Sequence, residues 1–119
     1  MNKKILVVED DHALSDAFSI VLKKEGYDVD TVFDGKDALE RVRTDEYDLI
    51  LLDLLMPVLD GKGFLKKFDN TSKTPVIVFS NLDAKDDIDE ALKLGATRYM
   101  LKAWASPSKL ADLVKETLD

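Results

Sequence analysis

A few side chains stand where they could do phosphate chemistry. Glu9-Asp10-Asp11 directly follows the apolar run Ile5-Leu6-Val7-Val8, and Asp53 ends a second apolar run, Leu49-Ile50-Leu51-Leu52. A carboxylate buried without a partner either costs several kcal/mol or takes up a proton. Two such strands side by side would gather these acids at one sheet edge. The usual reason to tolerate that repulsion is a divalent cation, and the usual reason to hold the cation there is phosphate chemistry. Ser80 and Lys102 each follow a later apolar segment, adding a hydroxyl and an ammonium.

The elements that must position these groups alternate between two periodicities. Ile5 to Val8 is a short continuous apolar run, as expected of a strand covered on both faces. Leu14, Ala17, Phe18, Val21 and Leu22 then share one helical face, with Asp11 as expected N-cap and Gly26 as expected stop. Asp28 to Val32 is a strand in which acids alternate with valine and threonine, the pattern of an edge. A short helix after Gly35 presents Ala38, Leu39 and Val42, and Asp48 to Leu52 is the third strand. Pro57 and Gly61 punctuate the next loop, before a helix over about Lys62 to Phe68. Strands are expected over Val76–Phe79 and Thr97–Leu101, with a helix between them capped by Asp83 and stopped by Gly95. Ser106 or Ser108 opens a last helix carrying Leu110, Leu113, Val114 and Leu118.

Five strands alternating with five helices predict an α/β, doubly wound parallel sheet with right-handed crossovers. In such sheets ligands bind beyond the carboxyl ends of the strands, where the strand order reverses. With the flavodoxin-like order 2-1-3-4-5, Glu9, Asp10 and Asp53 converge, and Ser80 and Lys102 lie on the same edge. The 119 residues suit one domain, 1–119, with no repeat or linker. Cysteine is absent, which excludes disulfide and thiolate chemistry, and a net charge of −7 argues against direct binding to nucleic acid or an anionic membrane. No apolar run is long enough to span a membrane, and the first residues lack a signal-peptide core, so a cytoplasmic location is expected.

These residues also match a family. Ile5 to Asp11, Asp48 to Asp53 followed by Met56-Pro57 and Asp60-Gly61, Pro75 to Ser80, and Gly95-Ala96 leading to Tyr99 and Lys102 together resemble the receiver domain of two-component response regulators. The resemblance covers the whole chain in order. It implies that Asp53 is the phosphoacceptor, forming an acyl phosphate. It implies that Asp10 and Glu9 hold Mg²⁺, one directly and one through water, with Asp53 and the backbone carbonyl of Leu55 as further ligands. Lys102 would pair with a phosphoryl oxygen, Ser80 would hydrogen-bond another, and Tyr99 would be the aromatic switch that moves inward when the site is charged. The implied partners are a sensor histidine kinase or phosphotransfer protein, and a downstream target or effector domain. The target would be met through helix 4, strand 5 and helix 5. The chain would be no enzyme beyond promoting its own phosphorylation and dephosphorylation.

Several positions depart from the family pattern. Ala103 follows Lys102 where the family usually has proline, often in a cis bond; a cis bond without proline costs about 2.5–4 kcal/mol. Trp104 and Asn81 replace a phenylalanine and an alanine that are common there, and Arg98 replaces an acid used in pairing. Leu55 and Leu82 occupy the positions that tune hydrolysis, and neither can orient water, so slow self-dephosphorylation is expected. Four acids, Asp86, Asp87, Asp89 and Glu90, are read as a solvated helix start, and His12 as exposed without a phosphorelay role. Three other functions compete. A pseudo-receiver would use the same fold as a phosphorylation-independent binding module, against which the intact acids argue. A small-molecule phosphohydrolase would want a cap domain. A flavodoxin-like cofactor binder would want a hydroxyl- and glycine-rich loop where Glu9-Asp10-Asp11 stands.

Overall fold

The computed structural model describes residues 2–104 and 106–119; Met1 and Ala105 lie outside the described residues. In chain order the elements are β1 (Lys4–Val8), α1 (His12–Lys24), β2 (Asp28–Val32), α2 (Gly35–Thr44), β3 (Leu49–Asp53) and α3 (Gly61–Lys67). They continue with β4 (Val76–Ser80), α4 (Lys85–Lys93), β5 (Arg98–Leu101), a 3-10 turn (Lys102–Trp104) and α5 (Pro107–Leu118). All strand pairs are parallel, in the order β2-β1-β3-β4-β5. The expected fold class therefore holds.

Strand alternation divides the core in two. Leu6, Val8, Ile50, Leu52, Val76 and Val78 face Ala38, Leu39, Phe64, Leu65 and Ala91 of α2, α3 and α4. Ile5, Val7, Leu49, Leu51, Ile77 and Phe79 face Phe18 and Leu22 of α1 and Leu110, Ala111 and Val114 of α5. β1, β3 and β4 are apolar on both faces because both faces are covered. β2 is the edge strand its acids predicted. Its Asp30 is served by the Tyr47 hydroxyl at 2.7 Å, Arg41 at 3.2 Å and Lys4 at 3.5 Å.

Boundaries moved where capping chemistry outweighed periodicity. Asp34 and Asp60 each accept a backbone N–H at 2.8 Å, from Asp37 and Gly63, so α2 starts at Gly35 itself and α3 one residue early. Ser106, not Ser108, caps α5, with Pro107 in its first turn. Gly26 and Gly95 end α1 and α4 at φ +95° and +117°. The expected cap of α4 was wrong. Its N-cap is Ala84, without a side-chain hydrogen bond; Asp83 lies one residue too early to reach the free amides. The α4 acids are solvated as expected, with Asp86, Asp89 and Glu90 exposed, but Asp87 and Glu90 also pair with Lys62 of α3 at 2.8 and 3.1 Å. Sequence periodicity misses that contact, which joins residues far apart in the chain. No helix among the described residues is long and apolar enough to cross a membrane.

Candidate functional site

β3 and β4 each run one residue further than their apolar runs, so Asp53 and Ser80 are the last residues of the strands rather than loop residues. The strand register sets Asp53 beside Phe79 and Ser80 beside Leu101. Asp53 is 1% exposed. Its Oδ1 accepts the Leu55 N–H at 3.2 Å, and its Oδ2 accepts from the Lys102 ammonium at 3.0 Å. Lys102 opens the 3-10 turn after β5, and its Nζ also lies 2.8 Å from Oε1 of Glu9. The ammonium sits 5.6 Å from the centre of the Phe79 ring. The Lys102–Ala103 peptide bond is trans.

Glu9 is wholly buried, and its backbone N–H is held by the Val32 carbonyl at 3.2 Å. Neither carboxylate oxygen receives a directed hydrogen bond, since Lys102 stands close to Oε1 but outside hydrogen-bond geometry. Burial, and then the neighbouring Asp53 carboxylate, push the Glu9 carboxyl up to about 8, against the opposing pull of Lys102. Burial also pulls the Lys102 ammonium down, but the facing carboxylates of Glu9 and Asp53 outweigh it and leave its pKa raised. The two shifts agree physically. One cation between two buried carboxylates leaves an excess negative charge, which a proton or a second cation must meet. Glu9, Asp10 and Asp53 each offer a carboxylate oxygen, all within 4.8 Å of one another. All-oxygen donors with unsatisfied buried lone pairs suit a hard divalent cation such as Mg²⁺.

The structure thus brings together Glu9, Asp10, Asp53 and Lys102. Asp10 is the exposed member of the acids. Asp11 stands apart and caps α1, accepting the Leu14 N–H at 3.2 Å. Leu55 points its side chain outward, 54% exposed, while its backbone stays against Asp53. Ser80 is buried, and its Oγ accepts the Leu82 N–H at 3.2 Å. The Tyr99 hydroxyl donates to the Leu82 carbonyl at 2.6 Å. Ser80 and Tyr99 therefore both hold the loop between β4 and α4, from opposite ends of the Leu82 backbone. His12 is exposed and stacks on Phe33 at 3.8 Å, away from any hydrogen bond to the acids.

Two supporting residues were not anticipated. Phe79 forms an apolar platform near Lys102 and meets Phe18 edge-on at 5.2 Å. Its place before Ser80 in the strand was the available signal. Gly61 lies directly against the end of β3. A Cβ there would come within 2.5 Å of the Asp53 carbonyl oxygen, and the Gly61 N–H donates to the Leu54 carbonyl at 2.9 Å. The Asp-Gly pair after Met56-Pro57 carried this signal, as a close approach that excludes a side chain.

The response regulator receiver domain profile matches residues 5–115. The receiver domain of a Francisella response regulator is 36% identical, with 98% of this chain and 97% of that one covered and a TM-score of 0.90. A CheY-like receiver domain protein from Methanospirillum hungatei is 28% identical over 100% of this chain and 95% of its own, with a TM-score of 0.93. A chemotaxis response regulator of Vibrio cholerae is 28% identical over 99% and 100%, with a TM-score of 0.90. Profile, strand order and the acids at the ends of β1 and β3 agree, and the chain belongs to the response regulator receiver domain family of two-component signalling.

Proposed function

We propose that this receiver domain is a phosphorylation-operated switch whose phosphoacceptor is Asp53. The observation that carries the reading is the buried Glu9–Asp53 pair bridged by Lys102, with both Glu9 oxygens lacking a directed donor. A purely structural strand end has no use for that arrangement.

Glu9, Asp10 and Asp53, with the Leu55 carbonyl, would hold Mg²⁺. When bound, the ion neutralises phosphoryl oxygens and aligns them with the attacking group. Asp53 attacks the phosphorus of a phosphohistidine on a kinase or phosphotransfer protein. The P–N bond breaks, an acyl-phosphate P–O bond forms, and the imidazole leaves and takes up a proton. Lys102 offsets charge on the transferring group from the apolar side, near the Phe79 ring. The Ser80 hydroxyl, whose oxygen accepts the Leu82 N–H, donates its own proton to an oxygen of the phosphoryl group, which adds acceptors and close to two negative charges. Tyr99, joined to the same Leu82, transmits the change to the surface of α4, β5 and α5, where a downstream partner docks. The chain acts as one domain in the cytoplasm, and its chemistry is confined to its own phosphorylation and slow dephosphorylation.

The test is intact mass after incubation with Mg²⁺ and acetyl phosphate, with Asp53→Asn as control. One phosphoryl group on the parent and none on the variant is the expected result. A folded parent that gains no mass would make the chain a phosphorylation-independent binding module instead.

A further inference from the structure

The structure ties α4 to the site by a second route, through α3, besides the loop held by Ser80 and Tyr99. α4 is weakly anchored: Ala91 is its one buried residue, and its N-terminus has no side-chain cap. α3, by contrast, is seated on the phosphoacceptor strand, because Gly61 lies against the backbone of Asp53 and Leu54. The next residue, Lys62, crosses to α4. Its ammonium meets Asp87 at 2.8 Å and Glu90 at 3.1 Å, with its own side chain 24% exposed. Asp87 and Glu90 are one turn apart, so both can face one cation.

We infer that Lys62 is a positioning residue of the switch, an ionic fork that holds α4 in the arrangement where Tyr99 bonds the Leu82 carbonyl. The inference rests on the phosphorylation reading above, in which the charged site draws Tyr99 inward onto that loop. The arrangement seen here, with the Tyr99 hydroxyl 2.6 Å from Leu82 O, is then the one the phosphoryl group favours. A contact that stabilises one state raises affinity for whatever prefers that state, by up to the same factor, reached when that state is the minor one without ligand. Lys62 therefore favours phosphorylation without touching the phosphoryl group.

The experiment measures beryllofluoride affinity in Mg²⁺ for four proteins: the parent, Lys62→Met, Asp87→Asn/Glu90→Gln, and the triple variant. Methionine keeps much of the stem and removes the charge. The expected loss for Lys62→Met is about two- to fivefold in affinity, the size of a part-exposed ion pair. The same substitution should have no further effect once both acids are neutral. Hydrogen exchange of α4 amides should speed up in Lys62→Met even without beryllofluoride. Unchanged or tighter binding by Lys62→Met would overturn the inference. So would an equal loss in the acid-neutral background, which would mean that Lys62 acts on the ligand's charge directly. Failure of the parent to bind beryllofluoride would instead reject the phosphorylation reading itself, and the exchange data would still report on the fork.

Discussion

Glu9 is the residue whose environment departs furthest from its chemistry, and pH should expose it. Its carboxyl is raised from an ordinary 4.5 to about 8. The folded protein therefore keeps a proton that the unfolded chain gives up. The stability from this group is complete below about 4.5 and is lost as pH rises to about 8. With a chelator present, the melting temperature should fall across that window, and Glu9→Gln should flatten the fall. Added Mg²⁺ should stabilise more at the alkaline end, where it has no proton to displace. Thermal unfolding with and without chelator checks this; parallel curves for parent and Glu9→Gln would refute it. Asp53, Glu9 and Asp10 were legible in the sequence because acids directly after apolar runs have few other reasons to be there. Their different burial was not, since exposure depends on which loops close over each one.

α4 is the element with the most to gain from a local change. Ala84 already has extended N-cap geometry, φ −66° and ψ 135°, but offers no acceptor. Ala84→Ser should stabilise the domain by about 1 kcal/mol, the usual worth of a side-chain cap, as measured by denaturant unfolding. No gain would mean that the Asp86 and Asp87 carboxylates of the first turn already serve those amides. The strands and helices themselves were legible, because continuous apolar runs and three-to-four spacing differ clearly over these lengths. The ends were less so. Asp34, Asp60 and Ala84 set helix starts by cap geometry, which periodicity does not see. Asp53 and Ser80 joined their strands because ladder pairing continued past the last apolar residue.

At the scale of the whole molecule, the sheet separates two cores and the site straddles its edge. Phe18 and Phe79 meet edge-on beneath Lys102, so the core under α1 also supports the site. Phe18 is 1% exposed, and Phe18→Ala should cost about 3–5 kcal/mol of unfolding free energy, measured in urea. A cost below about 1 kcal/mol would show that the core refills the space. The sequence by itself determined the alternation of elements, the strand order through its family resemblance, and the acids at the ends of β1 and β3. Those features are local: periodicity and strand-end chemistry are written within a few residues. Only the tertiary structure decided that Lys102 lies between Glu9 and Asp53, that Glu9 is left without a directed donor, and that Lys62 reaches α4. Those contacts join residues distant in the chain, and their geometry follows from how the twisted sheet and its two helical layers pack.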